Sequence, residues 1–206
     1  MQPNFKLNLL LGLFVGLIVG VNLLGVKITT LFGVSVSVGI FMVPFMFLIT
    51  DIVEEVHGKK LTAQFIWIGV ITQIVVFLFV ALFLWLEPNE RYIYDNEYQI
   101  IFGASLRIII ASLVAFVLAQ FHDVWAFNFW KERTHGKHLW LRNNASTIAS
   151  QGIDTFVFMF IAFWHVAPKF TAGFIITLAI PYYLFKIVFA LLDTPFVYWG
   201  VKWLKK

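Results

Sequence analysis

Residues 62–86 read TAQFIWIGVITQIVVFLFVALFLWL, an apolar run without a charged side chain. An α-helix rises 1.5 Å per residue, so a run of this length spans about 37 Å and exceeds the roughly 30 Å hydrocarbon core of a bilayer. The run lacks the alternation of polar and apolar residues that marks a strand of a membrane β-barrel. A helix also satisfies its own backbone hydrogen bonds in lipid. This stretch therefore predicts a transmembrane helix.

Five further apolar segments surround this run. They cover residues 7–24, 36–56, 104–122, 145–166 and 173–199. Each is close to or above the roughly 20 residues that a helix needs to cross a bilayer. The sequence therefore predicts an all-α protein, an integral membrane bundle of six transmembrane helices that forms a single domain over residues 1–206. We number these predicted spans one to six; spans two and five are the least apolar.

Composition also indicates a membrane protein. Hydrophobic residues make up 61% of the chain and charged residues 13%, against about 45–50% and about 25% in soluble domains. The absence of cysteine excludes disulfides and thiolate chemistry. We attribute the net charge of +4 to basic cytoplasmic loops, and so expect a lipid membrane and no nucleic acid as partner. The run at 7–24 is longer than the core of a cleavable signal peptide, so we expect it to be span one.

Basic residues are distributed unevenly between the predicted loops. One set of loops and ends carries ten of them: Lys6, Lys59, Lys60, Lys131, Arg133, Lys137, Arg142, Lys202, Lys205 and Lys206. The alternate set carries three: Lys27, Arg91 and Lys169. Cytoplasmic loops of membrane proteins are enriched in Lys and Arg. This bias predicts that both termini are cytoplasmic.

Span two carries a cluster of acidic residues. Asp51, Glu54 and Glu55 share one helical face with Gly58, and Pro44 two turns earlier can open a backbone hydrogen bond. A charge at mid-membrane costs on the order of 2.5–3.5 kcal/mol, so these side chains must face water, one another or a ligand. Their repulsion implies that at least one carboxyl keeps a proton or pairs with a base. For Glu55 the alternative is an acidic cap beside the lysines that follow it.

Span five carries a polar stripe. Asn143, Thr147, Gln151 and Asp154 recur at helical spacing, with Asn144 beside them. Single polar residues in a span usually hold helices together, whereas four in register favour a ligand surface. Amides offer a donor beside an acceptor, and a carboxylate accepts two hydrogen bonds at once. This set suits a flat heterocycle with donor and acceptor edges.

Spans four and six contribute further charges. Lys186 lies about 20 Å into span six, too deep for its side chain to reach the interface easily. It shares a helical face with Asp193, and an ion pair is as good an interpretation as ligand binding. Arg107, one turn inside span four, either reaches the outer interface or faces the interior. Asp123 and His122 fall at the inner end of that span, where we expect interfacial water to solvate them.

An aspartate recurs near the inner end of three predicted spans. Asp51, Asp123 and Asp193 are each followed eight or nine residues later by a lysine. The pattern indicates either a threefold repeat of helical hairpins or a shared preference for lysine at inner helix ends.

Span one carries a stripe of small residues. Gly12, Gly16 and Gly20 recur every four residues, and Asn22 follows them. Such a face lets helices approach closely. It either packs inside the molecule or forms a homodimer.

Enzyme motifs are missing from the sequence. It has no nucleophile elbow, H-E-x-x-H motif, phosphate loop or dinucleotide fingerprint. Glu54-x-x-His57 matches half of a di-iron motif. A membrane-embedded metalloenzyme using these two residues is the hypothesis of a different class. Otherwise we expect no catalytic residues, no metal and no cofactor.

One segment carries a family resemblance. Residues 39–60, GIFMVPFMFLITDIVEEVHGKK, resemble the signature of the queuosine precursor transporters, also called the vitamin uptake transporter family. The shared core is a proline, then Thr-Asp-x-x-x-Glu, then Gly-Lys-Lys. The segments around residues 22–27, 142–154 and 186–195 are similar too, so the resemblance covers nearly the whole chain.

The resemblance implies a transporter rather than an enzyme. It implies import of the queuosine precursors 7-cyano- and 7-aminomethyl-7-deazaguanine across the bacterial inner membrane for tRNA queuosine salvage, and the deep acids suggest proton coupling through Asp51 or Glu54. An alternative is a substrate-capture subunit of an ATP-driven vitamin uptake system. The polar positions predicted to bind the substrate are Asn22, Asp51, Glu54, Asn143, Asn144, Gln151, Asp154, Lys186 and Asp193.

Overall fold

The computed structural model describes residues 5–25, 27–31, 33–103, 106–165 and 168–205, and it is almost entirely helical. In chain order the elements are α1 (Phe5–Leu24), β1 (Ile28–Leu31), β2 (Val34–Ser37), α2 (Val43–His57), α3 (Lys59–Trp85), α4 (Asp95–Tyr98), α5 (Leu106–Arg133), α6 (Leu139–Phe163) and α7 (Ala172–Lys205). Single irregular helical turns cover Val38–Phe41 and Gln99–Gly103.

Five of these helices are long and apolar enough to cross a membrane: α1, α3, α5, α6 and α7. Large apolar side chains cover their outer surfaces, for example Ile71 and Leu78 on α3 and Leu192 on α7, which are 59%, 59% and 62% exposed. Lipid is the solvent in which such a surface is stable. The predicted helical membrane bundle is therefore confirmed, and the protein is a multi-pass membrane protein.

The predicted second span differs from the structure. We expected one helix over 36–56, but α2 begins only at Val43 and has 15 residues. A short antiparallel hairpin precedes it, in which Leu31 pairs with Val34 and Gly33 has a φ of +80°. Pro44 lacks a backbone N–H, and in the first turn of α2 none is needed. The proline therefore starts this helix instead of kinking it, and the hairpin departs from an all-α fold.

The predicted fourth and fifth spans also extend further than hydropathy indicated. α5 continues to Arg133, well past the expected end at His122, and α6 begins at Leu139 instead of 145. Both extensions contain polar residues that lower the local hydropathy yet lie on buried helical faces. As a result, polar side chains expected at the membrane surface lie inside the bundle.

The helices pack around two neighbouring regions. Phe14 and Ile18 of α1 lie in an apolar core with Phe65 of α3 and Phe116 of α5. Gly69 of α3 has no side chain that would collide with Phe14 and Ile18, so α1 and α3 approach closely. The second region is polar and lies where α2, α5, α6 and α7 meet.

Candidate functional site

Buried polar side chains are concentrated between α2, α5, α6 and α7. None of those in the following list is more than 7% exposed: Asp51, Glu54, Gln120, Asp123, Asn143, Ser146, Thr147, Ser150, Gln151, Lys186 and Asp193. Polar groups inside a membrane bundle are costly, and they usually line a substrate or ion pathway. We call this set the polar interior.

Three aspartates from three helices converge in the polar interior. Asp51 of α2 and Asp123 of α5 are both 0% exposed, and Asp193 of α7 is 7% exposed. The carboxyl groups of Asp51 and Asp123 are close enough to interact electrostatically, and Asp193 interacts with both of them. Thr147 of α6 donates to Asp51 Oδ2 at 3.3 Å. The recurring aspartates of the sequence thus form one cluster.

Asp123 corrects an expectation from the sequence. We expected interfacial water to solvate Asp123 and His122. Because α5 continues for ten residues beyond Asp123, about 15 Å, its carboxyl is buried completely. The neighbouring His122 contacts Ser150, with 2.9 Å between His122 Nδ1 and the serine hydroxyl.

The polar stripe of α6 faces α7 on one side of the cluster. Asn143 Nδ2 donates to Asp193 Oδ1 at 3.2 Å. Asn144 Nδ2 donates to the Thr194 hydroxyl at 2.8 Å and to the Trp140 carbonyl at 2.7 Å. These bonds hold α6 and α7 together near the start of α6.

A cross-helix ion pair lies at the opposite end of the stripe. Lys186 Nζ of α7 contacts Asp154 Oδ2 of α6 at 2.5 Å, and Lys186 is only 3% exposed. Its ammonium also lies 5.2 Å from the ring centroid of Tyr182. The partner of Lys186 is therefore Asp154 rather than Asp193 on its own helix.

A second ion-pair network lies where α2 and α5 end and α6 begins. Glu55 Oε2 pairs with Arg142 at 2.8 Å and with Lys131 at 3.1 Å. Arg142, 1% exposed, also donates to the Gly136 carbonyl at 3.2 Å and lies 5.3 Å from the ring centroid of Phe127. Glu55 therefore pairs with basic residues of α5 and α6 rather than with the lysines that follow it in sequence. Glu54, in contrast, faces the polar interior and leaves Oε1 without a partner among the described residues.

Asn22 and Arg107 are not brought to this cluster by any described contact. Asn22 Nδ2 donates to Ile18 of its own helix at 3.1 Å. Arg107 is exposed and donates to the carbonyls of Ile161 and Trp164 at 2.8 and 2.7 Å, which satisfies the end of α6. Of the two interpretations of Arg107, the structure favours the interfacial one.

The two residues that match half of a di-iron motif, Glu54 and His57, differ in their exposure. Glu54 is 2% exposed, whereas His57 is exposed at the end of α2. Within the described part of the chain, no group of three or more histidine and carboxylate side chains is placed to hold a metal ion.

Several buried atoms in and beside the polar interior have no hydrogen-bond partner among the described residues. They are Asp51 Oδ1, Glu54 Oε1, both amide atoms of Gln120, both carboxyl oxygens of Asp123, Arg142 Nε, Asn143 Oδ1, Asn144 Oδ1, Gln151 Oε1, Thr155 Oγ1 and Asp193 Oδ2. Folded proteins pair most buried polar atoms. Such a concentration indicates groups that serve a polar ligand.

Gln120 and Asp123 were not predicted from the sequence as residues of this site. The signal was present, since a Gln and an Asp three residues apart share a helical face in an otherwise apolar segment. Because span four was predicted to end at His122, this shared face was not recognised as part of the membrane helix.

A multi-pass helical bundle with a buried polar interior is typical of membrane transporters. A sequence profile of the family described as "Putative vitamin uptake transporter" matches residues 37–200. The chain therefore belongs to this family, and the resemblance seen in the sequence is confirmed. No solved structure shows significant similarity.

Relatives of known name support the same class. The "Probable queuosine precursor transporter" of Bacillus subtilis (strain 168) is 32% identical over 192 residues, 91% of this chain and 82% of the relative. The "Queuosine precursor transporter" of Escherichia coli (strain K12) is 26% identical over 162 residues, 79% of this chain and 71% of the relative. The "Probable queuosine precursor transporter" of Haemophilus influenzae (strain ATCC 51907 / DSM 11121 / KW20 / Rd) is 30% identical, covering 72% of this chain and 61% of the relative.

Proposed function

We propose that this transporter imports queuosine precursors, 7-cyano- or 7-aminomethyl-7-deazaguanine, across the bacterial inner membrane for tRNA queuosine salvage. The observation that carries the proposal is the polar interior, in which several carboxyl and amide oxygens have no hydrogen-bond partner among the described residues. A deazaguanine presents a ring N–H and an exocyclic amine on the same edge, next to a carbonyl. Carboxylates and primary amides complement that edge.

The binding site we propose includes the predicted residues that face the polar interior. They are Asp51, Glu54, Asn143, Asn144, Gln151, Asp154, Lys186 and Asp193. Asn22 is left at the outer end of α1, because its amide is occupied by its own helix. When the substrate binds, it would replace long hydrogen bonds within the site, such as that from Asn143 to Asp193 at 3.2 Å.

Restoration of tRNA queuosine tests the substrate. The host makes no precursor and lacks a transporter of its own, and it receives either this gene or its Asp154→Asn variant. We expect the wild-type gene to restore queuosine when precursor is supplied, and the variant to restore less. Failure of the wild-type gene would contradict the proposed substrate.

We propose six crossings with both termini in the cytoplasm. Lys6 near the start of α1 donates to the Trp203 carbonyl near the end of α7 at 3.0 Å, which supports an even number of crossings. Five long helices leave α2 as the sixth. Its 15 residues and the turn over Val38–Phe41 together reach about 30 Å, the thickness of the hydrocarbon core.

We also propose that uptake is coupled to protons through a carboxyl of the Asp51–Glu54 pair. Asp51 is fully buried beside Asp123 and near Asp193, with no ion-pair partner among the described residues. A proton shared in this cluster would relieve the repulsion between carboxylates. Uptake into vesicles should fall when the proton gradient is collapsed by an uncoupler, and unchanged uptake would exclude this mechanism.

The alternative of a substrate-capture subunit has one supporting feature. Gly12 and Gly16 are exposed and would have open space beside an added methyl group, so this face is free to dock against another membrane protein or a second copy of the chain. Gly20, in contrast, lies against Met42. Uptake by this chain expressed alone, in a host without an ATP-driven module, would exclude the subunit interpretation.

A further inference from the structure

Gln120 is a buried polar residue that the proposed site does not include. It lies in the middle of α5 and is 0% exposed. Neither its amide nitrogen nor its amide oxygen has a partner among the residues that the structure describes. An unpaired buried amide disfavours the folded state, so its retention calls for a function.

The position of Gln120 on α5 directs it toward the substrate site. Phe116, Gln120, Asp123 and Phe127 form one stripe, at intervals of three and four residues. Asp123 in this stripe meets Asp51 of α2, and Phe127 lies beneath the Arg142 guanidinium of α6. Asp123 and Phe127 therefore direct this end of the stripe toward the space between α2 and α6, whereas Phe116 at its other end packs against Phe14 of α1.

Gln120 also lies level with a second unpaired amide. α5 and α6 run antiparallel, with His122 beside Ser150 and Phe127 beside Arg142. This register places Gln120 opposite Gln151, whose Oε1 is unpaired and which is 1% exposed. Two buried amides thus occupy one level of the polar interior, one turn from the aspartate cluster.

We propose that Gln120 determines specificity by binding the lactam edge of the substrate. Its Nε2 donates to the ring carbonyl, and its Oε1 accepts from the adjacent ring N–H, which gives two parallel hydrogen bonds. Asp123, about 4.5 Å further along the helix axis, accepts from the exocyclic amine beside that ring N–H. This inference rests on the proposed function, because it takes the substrate to be a 7-deazaguanine.

Gln73 on α3 provides a matched control. It is also a buried glutamine, 4% exposed, in a membrane helix. Its Nε2 donates to the Ile18 carbonyl at 3.1 Å and joins α3 to α1. Gln73 therefore has a structural partner where Gln120 has none.

The test compares binding of 7-aminomethyl-7-deazaguanine and its N1-methyl analogue by purified protein in detergent. The methyl group removes the ring N–H. We expect wild-type protein to prefer the unmethylated compound and Gln120→Leu to bind it about tenfold or more weakly, with most of the preference lost. Gln73→Leu should keep the preference. Thermal unfolding without ligand gives a second readout: Gln120→Leu should melt no lower than wild type, and Gln73→Leu should melt lower.

The outcomes separate this inference from the proposed function. If wild-type protein binds and Gln120→Leu retains the full preference, the role of Gln120 is overturned and the proposed function stands. If wild-type protein binds neither compound, both are overturned. Gln120→Met, of nearly equal length, replaces Gln120→Leu if the latter does not accumulate, and an unchanged preference in that variant would also overturn the role of Gln120.

Discussion

Arg142 illustrates how one buried cation can hold four segments of a membrane protein together. Its guanidinium contacts Glu55 on α2, the Gly136 carbonyl in the α5–α6 turn and the Phe127 ring on α5. A planar guanidinium can satisfy several partners at once, which an ammonium cannot do with the same geometry. The network closes the polar interior at that end.

Arg142→Met should destabilise the protein strongly. It leaves Glu55, whose side chain is 14% exposed, with only the Lys131 partner. Breaking a buried pair costs about 3–5 kcal/mol. Chemical unfolding in detergent should register a loss of this order, and Lys131→Met, at a side chain 34% exposed, should cost far less. Equal losses in the two variants would contradict this account.

Variants of the Lys186–Asp154 pair can distinguish a structural role of this ion pair from a role in substrate binding. Asp154→Asn leaves a lysine 3% exposed without its counter-charge, so we expect lower stability. The double variant Asp154→Asn/Lys186→Gln should recover stability, because no unpaired charge remains. If the pair also binds substrate, the double variant will accumulate normally in membranes but show reduced uptake. Wild-type uptake by the double variant would assign the pair a purely structural role.

At the residue scale, the depth of Asp51 and Lys186 in the membrane bundle was predictable from the sequence, whereas the partners of the charged side chains were not. Asp51 and Lys186 were expected to be deep, and both are buried. The choice of Asp154 as the partner of Lys186 depends on how α6 and α7 are rotated, which no single helix encodes. Asp123 was misplaced because hydropathy ended its span too early.

At the scale of elements, α2 and α7 pack closely near the C-terminal end of α7. A methyl group added at Gly200 of α7 would collide with the Ile52 side chain of α2, at 2.3 and 2.9 Å from two of its carbons. This contact fixes the helix that carries Asp51 against the helix that carries Asp193. The glycine thereby helps to assemble the aspartate cluster.

Gly200→Ala should therefore destabilise the protein although alanine favours helices. The overpacking penalty is about 1–3 kcal/mol and exceeds the about 1 kcal/mol gained in helix propensity. A second change, Ile52→Val, should recover part of the loss by making room. Melting temperatures in detergent measure both effects. Gly173→Ala, at an α7 position with open space, serves as the control and should not lower the melting temperature.

The elements themselves were predictable to different degrees. Long apolar helices such as α3 follow directly from an uninterrupted run, because lipid leaves the backbone no other way to satisfy its hydrogen bonds. The hairpin before α2 was not predicted, because the apolar segment was begun at residue 36, although the alternation of valine and serine over Val34–Ser37 is a strand pattern. Gly33 at positive φ and Pro44 in the first turn of α2 were the local signals for a break.

At the scale of the whole molecule, the basic residues of one set of loops lie at the same end of the bundle. Lys6 reaches the end of α7, and Lys131 and Arg142 meet at Glu55. The contact of Gly200 with Ile52 joins these two groups. The asymmetry counted in the sequence thus becomes an asymmetry between the two ends of a folded molecule, as an oriented membrane protein requires.

The orientation can be tested directly because the chain contains no cysteine. Asn89 lies in an exposed loop after α3, and His135 is exposed in the α5–α6 turn at the basic end. If the basic end is cytoplasmic, a cysteine introduced at Asn89 will react with a membrane-impermeant maleimide in intact spheroplasts. A cysteine at His135 will react only after the membrane is opened, since the reagent cannot otherwise reach it. A cysteine at Phe5, which is 75% exposed at the start of α1, should behave like the one at His135 if α2 crosses the membrane, because α1, α2, α3 and α5 then make four crossings between the two positions. Labelling of the Phe5 position from outside, with His135 still protected, would mean an odd number of crossings between them, and would contradict the role of α2 as the sixth span.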